Sequence, residues 1–261
     1  MIRLIQVEVI KLRRTRLTYG LLAAAAGLTA LFAALEASRA GSGSVAPLST
    51  AAGLDAVITG GIWALLFAAV LGVTVSSGEY RHATITATYL VSPRRGRVLA
   101  AKCAAAAGAG AVLGLTGWLI ATGIGLGIVS AHADPVPIGA ATLARYAAGH
   151  AVAGGLLAVI GVGVGALVRS QLAAVIGVFV WAVVVESVVG GLYHTVQPYL
   201  PYTAATTLSG SVLGGAAFGP AHGAAAAATP LPFAAAVALL AVIALALAAI
   251  AAKTTVEHDV S

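Results

Sequence analysis

Glu186 and His150 stand inside long apolar runs, FVWAVVVESVVGGL and LARYAAGHAVAGGLLAV, where an ionisable group needs a reason to be. Each lies about five residues from the end of its run, or about 7 Å deep at about 1.5 Å per residue. A carboxylate and an imidazole at matched depth can form a polar pair lining a cavity, a common use of ionisable groups within a membrane. Glu186 can equally snorkel to the outer surface or meet Arg145 there. Other chemistries lack their residues. Intramembrane proteolysis requires serine and histidine on facing segments, and the last apolar run, Pro232 to Ala252, has no histidine. The six histidines are scattered without an H-E-x-x-H pattern, which excludes that kind of zinc site. Lys253 and Thr254 follow Ala252 instead of glycine, so no Walker A loop exists, and no G-x-G-x-x-G follows a strand. Cys103 is the single cysteine and cannot form an intramolecular disulfide. The chain reads as a non-enzyme that binds no cofactor or metal of its own.

The elements that must hold these residues are membrane helices. Hydrophobic residues make up 60% of the chain and charged ones 8%, against roughly 25% charged in soluble domains. A span needs about 20 apolar residues, so 261 residues hold six or seven spans in a single domain and leave no room for a soluble catalytic unit. The net charge of +6 sits beside apolar runs, which suits orientation and anionic lipid, not nucleic acid. Abundant alanine and glycine, no asparagine and an arginine excess over lysine of 11 to 3 are the composition of a GC-rich bacterial genome.

Six runs predict spans: Leu17 to Leu35, Ala56 to Val75, Cys103 to Val129, Tyr146 to Val168, Leu172 to Gly191 and Pro232 to Ala252. The first is too long for a signal h-region and reads as an uncleaved anchor. With the N-terminus in the cytoplasm, twelve of the fourteen Lys and Arg fall inside and only Arg39 and Arg145 outside. The expected fold is an all-α membrane protein of six transmembrane helices, both termini cytoplasmic, with residues 1–16 as an interfacial helix and 253–261 as a tail. In that helix Ile2, Ile5, Val9 and Leu12 fall on one side and Arg3, Lys11 and Arg14 largely opposite; a plain basic flank is the alternative. The pairs Gly110 and Gly114, Gly123 and Gly127, and Gly161 and Gly165 predict close helix packing.

Residues 192–231 carry no Asp, Glu, Lys or Arg, where a soluble loop would carry about ten charges. The segment is expected to lie in or against the outer leaflet, with Tyr193, Tyr199 and Tyr202 as an interfacial belt. A partly buried re-entrant element is preferred to a plain Ala/Gly loop. The second cytoplasmic loop, GEYRHATITATYLVSPRRGRVLAAK from Gly78 to Lys102, holds more than topology requires. Glu79, Tyr80, Arg81, His82 and Thr84 make a compact polar surface suited to docking a soluble partner.

These residues resemble the membrane subunit of type 2 ABC (ATP-binding cassette) exporters. The likeness rests on E-x-x-K-L at Glu8, Lys11 and Leu12, on Glu-aromatic-Arg-x-x-Thr at Glu79, Tyr80, Arg81 and Thr84, and on Pro-x-Arg with a downstream lysine at Pro93, Arg95 and Lys102. It continues through the Arg169-Ser170 turn and the YLP of Tyr199 to Pro201. Where such subunits commonly have glycine before the threonine, this chain has His82-Ala83. The resemblance implies a permease that dimerises with a second copy or homologue, pairs with ATP-binding cassette ATPase subunits that bind ATP and Mg, and couples to them through a short cytoplasmic helix at residues 79–84. Two rivals stay open: an ion-coupled secondary transporter, which needs midplane ion sites and often repeats, and a non-transporting membrane immunity or signalling subunit.

Overall fold

A backbone in hydrocarbon must satisfy its own hydrogen bonds, and the apolar runs do so as helices. The computed structural model describes residues 1–43, 45–81, 95–132, 134–168, 170–210 and 229–257. In chain order the α-helices are α1 (Ile2–Arg14), α2 (Arg16–Arg39), α3 (Ala51–Ile58), α4 (Ile62–Arg81), α5 (Arg95–Ala131), α6 (Ala140–Val168), α7 (Gln171–Val180), α8 (Glu186–Leu192), α9 (Pro201–Leu208) and α10 (Phe233–Glu257). Six helical segments are long and apolar enough to cross a membrane: α2, α3 with α4, α5, α6, α7 with α8, and α10. Five of the six expected runs fall within them, and the sixth starts one residue early, at Pro232. The chain is an all-helical, multi-pass membrane protein.

The ends of two spans differ from expectation. α5 starts at Arg95, eight residues before Cys103, and at about 1.5 Å per residue its 37 residues reach about 55 Å. A hydrocarbon layer of about 30 Å cannot contain that length, so α5 projects well beyond it. The second span begins at Ala51, where the Thr50 hydroxyl accepts the Gly53 N–H at 3.2 Å as an N-cap. It is interrupted at Thr59–Gly61 by one turn of 3-10 helix.

The second and fourth spans form the interior, and the first, fifth and sixth expose most of their surface. Small residues permit this packing. A Cβ on Gly72 would overlap the Ala158 carbonyl oxygen, and one on Gly161 would overlap that of Ala69, so α4 and α6 touch backbone to backbone. Gly110 and Gly114 meet α6 at Gly154 and His150, and Gly165 meets Val73, as two of the three glycine pairs require. Gly123 and Gly127 face open space, so the third pair packs against nothing among the described residues.

α1 packs on the bundle by one edge of its apolar face. Leu4, Ile5 and Leu12 are half-buried and Glu8 is buried, while Ile2 and Val9 are exposed. Amphipathic reasoning puts charge outward, and here an ion pair draws Glu8 in. At the other end of the bundle, residues 192–210 pack down as ordered structure. A 3-10 turn at Gln197–Tyr199 leads into α9, whose Tyr202, Ala204, Ala205 and Leu208 are buried. Tyr193 and Tyr199 are exposed, as a belt requires, but Tyr202 lies in the core with Ile62, Leu65 and Leu240. Gly149 lies against the Leu208 carbonyl, and Gly210, at φ +95, tucks beneath the Tyr146 ring, a conformation and a space that only glycine fits. Residues 211–228 lie outside the described part.

Candidate functional site

Between α7 and α8 the chain makes a π-turn, Trp181–Val185. In an α-helix residues i and i+5 stand about 140° apart at about 100° per residue. The wider turn brings Trp181 round to Glu186, and its indole N–H donates to Glu186 Oε1 at 3.0 Å. Oε1 also accepts the Tyr202 N–H at 2.8 Å, and Oε2 accepts the Thr203 N–H at 2.8 Å and its hydroxyl at 2.9 Å. These bonds complete the N-terminus of α9. Its first residue, Pro201, has no N–H, Ala204 donates to the Leu200 carbonyl at 2.8 Å, and the two N–H groups between them go to Glu186. A carboxylate is also the favourable charge at that helix end. Glu186 is 4% exposed. Its role is an external cap that docks α9 between the spans.

The Tyr202 hydroxyl donates to the Ile62 carbonyl at 2.9 Å, immediately after the break in the second span. Burial pushes the phenol far above its ordinary range, so it keeps its proton as the donor. On the other side of the break His150 is fully buried, and a Cβ on Gly61 would come within 2.8 Å of its Nε2. Its Nδ1 lies 2.9 Å from the Tyr146 carbonyl, which only accepts, so Nδ1 donates. Among the described residues Nε2 has no hydrogen-bond partner. His150 and Glu186 are thus not hydrogen-bonded to one another; Tyr202 and the Thr59–Ile62 segment stand between them. Nor does Glu186 meet Arg145, whose guanidinium sits 5.4 Å from the centre of the Tyr146 ring. Asp55, in α3, is half-buried near the Tyr146 side chain. The hydropathy reading passed over Asp55, although an acid beside an apolar run was the available signal.

Tyr202→Phe removes the donor and leaves the Ile62 carbonyl short of that bond in the interior. We expect a loss of about 1 to 2 kcal/mol, read as a lowered Tm of the purified protein in detergent; an unchanged Tm would mean that the hydroxyl does not fasten α9.

At the opposite end of α4 lies the expected docking surface. The backbone of Glu79, Tyr80 and Arg81 continues α4 as its last turn. Their side chains, and all of His82 and Thr84, lie outside the described part. Beside this end, Glu8 Oε2 pairs with Lys102 Nζ at 3.1 Å, each side chain 7% exposed. Glu8 Oε1 pairs with Lys11 Nζ at 2.8 Å. Lys102 Nζ also reaches the Val75 carbonyl at 3.4 Å, so α1, α4 and α5 meet on one carboxylate and one ammonium. Sequence spacing puts Glu8 and Lys102 in separate motifs and does not suggest the contact. Among the described residues no group of three His, Cys, Asp or Glu is placed to hold a metal. In comparison with known proteins, no family model and no curated protein matches the chain.

Proposed function

We propose that this chain is the permease subunit of an ATP-driven bacterial exporter in the cell membrane, acting as a dimer with separate ATP-binding subunits. Its N-terminus and the stretch from Gly78 to Lys102 are assigned to the cytoplasm in this reading, from the distribution of Lys and Arg. The observation that carries it is the buried pair of Glu8 and Lys102. One residue comes from the E-x-x-K-L segment and the other follows the Pro-x-Arg segment, two of the stretches that resemble type 2 exporters. Their contact beside the end of α4 supports a built cytoplasmic unit, where topology alone needs only scattered positive charge. The partner binds ATP and Mg and hydrolyses the nucleotide; this chain supplies the substrate path.

Residues 79–84 are the docking element in this proposal. Side chains two apart on a helix do not face each other, so Glu79 and Arg81 look elsewhere for partners. Arg81 offers a planar fork of donors to a carboxylate or carbonyl of the ATPase. An exposed ion pair contributes about 0 to 1 kcal/mol, whereas a buried interfacial pair left half-made costs about 2 to 5 kcal/mol. We therefore expect Glu79→Ala and Arg81→Ala to leave the protein inserted in the membrane but to reduce copurification of a Walker-A-containing ATPase and the ATP hydrolysis recovered with it. Two variants equal to the parent in both measurements would remove this role from the pair.

A further inference from the structure

Glu8 is the buried residue of α1, on a helix whose other charged side chains, Arg3, Lys11, Arg13 and Arg14, are exposed. Glu8 is turned toward α5, while the apolar Ile2 and Val9 face away from the bundle, on the side a membrane-bound helix presents to lipid. Here Ile2 is 74% exposed, and the contacts that fix the helix are the half-buried Leu12 against the Leu71 and Leu113 cluster and the carboxylate bridging Lys11 and Lys102. An apolar contact tolerates sliding by a fraction of a turn. A desolvated ion pair does not, because separating the charges in a low-dielectric setting forfeits an attraction that the surroundings do not replace. Both other helices at this joint flank one segment: Val75 lies near the end of α4 and Lys102 near the start of α5. α1 in turn runs into α2 with only Thr15 between them.

We propose that Glu8 is a positioning residue that locks α1 to the adjoining ends of α4 and α5, so that displacement of those helix ends is carried into α1 and on to the first span. The consequence for transport rests on the permease reading; the lock itself does not. Glu8 touches no substrate. It acts by making three helix ends move as one body.

The test is made on the full chain reconstituted in lipid vesicles, in a Cys103→Ser background with spin labels at Val7→Cys and Ala100→Cys, both exposed positions. Pulsed EPR reads the distance between the labels. The parent should give one narrow distribution, and Glu8→Gln and Lys102→Gln should broaden or shift it. The swap Glu8→Lys with Lys102→Glu should restore it, since a glutamate at 102 can meet lysines at both 8 and 11, although the Val75 carbonyl loses its donor. With the ATPase partner present, each single variant should lose about tenfold in ATP-coupled activity, within the range typical of energetic coupling between sites, and the swap should recover most of it. Recovery of the swap from membranes where both single variants are degraded also supports the lock, because only the pairing is restored. Glu8→Gln with the parental distance distribution overturns it, as does a swap no better than the single changes. Broadened distances with undiminished ATP-coupled activity overturn the transmission step. A parent with no ATP-coupled activity at all counts against the permease reading, and the label distances still decide the lock.

Discussion

Glu186→Ala is expected to cost about 2 to 5 kcal/mol and to release the segment from Tyr193 to Gly210. The carboxylate accepts four hydrogen bonds, two of them from the backbone N–H groups that open α9. Each buried donor left without a partner costs about 1 to 3 kcal/mol, and at membrane depth little water is at hand to replace the carboxylate. Water reaching the site and relaxation of α9 keep the total below a simple sum. Glu186→Gln keeps one carbonyl oxygen but turns an NH2 group toward N–H donors, so its effect should fall between alanine and the parent. Tm and the rate of limited proteolysis within residues 192–210 check this ordering. The reading of Glu186 as half of a cavity-lining pair with His150 makes the opposite forecast: normal stability in Glu186→Gln with altered transport or an altered pH dependence of it. Parental Tm in both variants would refute the cap.

The second large effect is expected at the contact of α4 and α6. Gly72→Ala sets a methyl group against the Ala158 carbonyl and Gly161→Ala sets one against that of Ala69, and a backbone carbonyl inside a helix cannot rotate aside. Overpacking of this kind costs about 1 to 3 kcal/mol per site. The positions share one interface, so once either methyl group has pushed the helices apart the other meets less resistance. The double variant should therefore lose less than the sum of the two single losses. Gly123→Ala is the control, because no atom within 4 Å would meet the added Cβ and alanine is the better helix former. Thermal unfolding in detergent and the yield of monodisperse protein measure all four. A Gly72→Ala variant as stable as Gly123→Ala would contradict the backbone contact.

Which parts of this architecture can be read from sequence follows from what each signal measures. Apolar length is a one-dimensional property, so all six spans were visible. The early start of α5 at Arg95 was not, because a helix that leaves the hydrocarbon carries no hydropathy signal there. The break at Thr59–Gly61 was hidden for another reason: glycine is ordinary in membrane helices, and only the neighbours Ala33, Gly117 and His150 show why Gly60 and Gly61 are required where they are. The depth of Glu186 was legible, but two of its partners lie 16 and 17 residues onward, beyond a 3-10 turn, and Trp181 is brought to it by a π-turn, and no periodicity announces either turn. Glu8 was visible as part of a motif, yet the rule that charge faces outward on an amphipathic helix pointed away from its burial.

The proposed function turns on the source of energy. Inverted membrane vesicles carrying the chain with its ATPase partner are screened against a panel of compounds for one that they accumulate. The uptake to measure is that driven by ATP, and separately that driven by an imposed proton gradient without nucleotide. Our account predicts uptake that requires hydrolysable ATP and persists when a protonophore collapses the gradient. Uptake driven by the gradient alone, with no response to ATP, would contradict it and return the chain to the ion-coupled class.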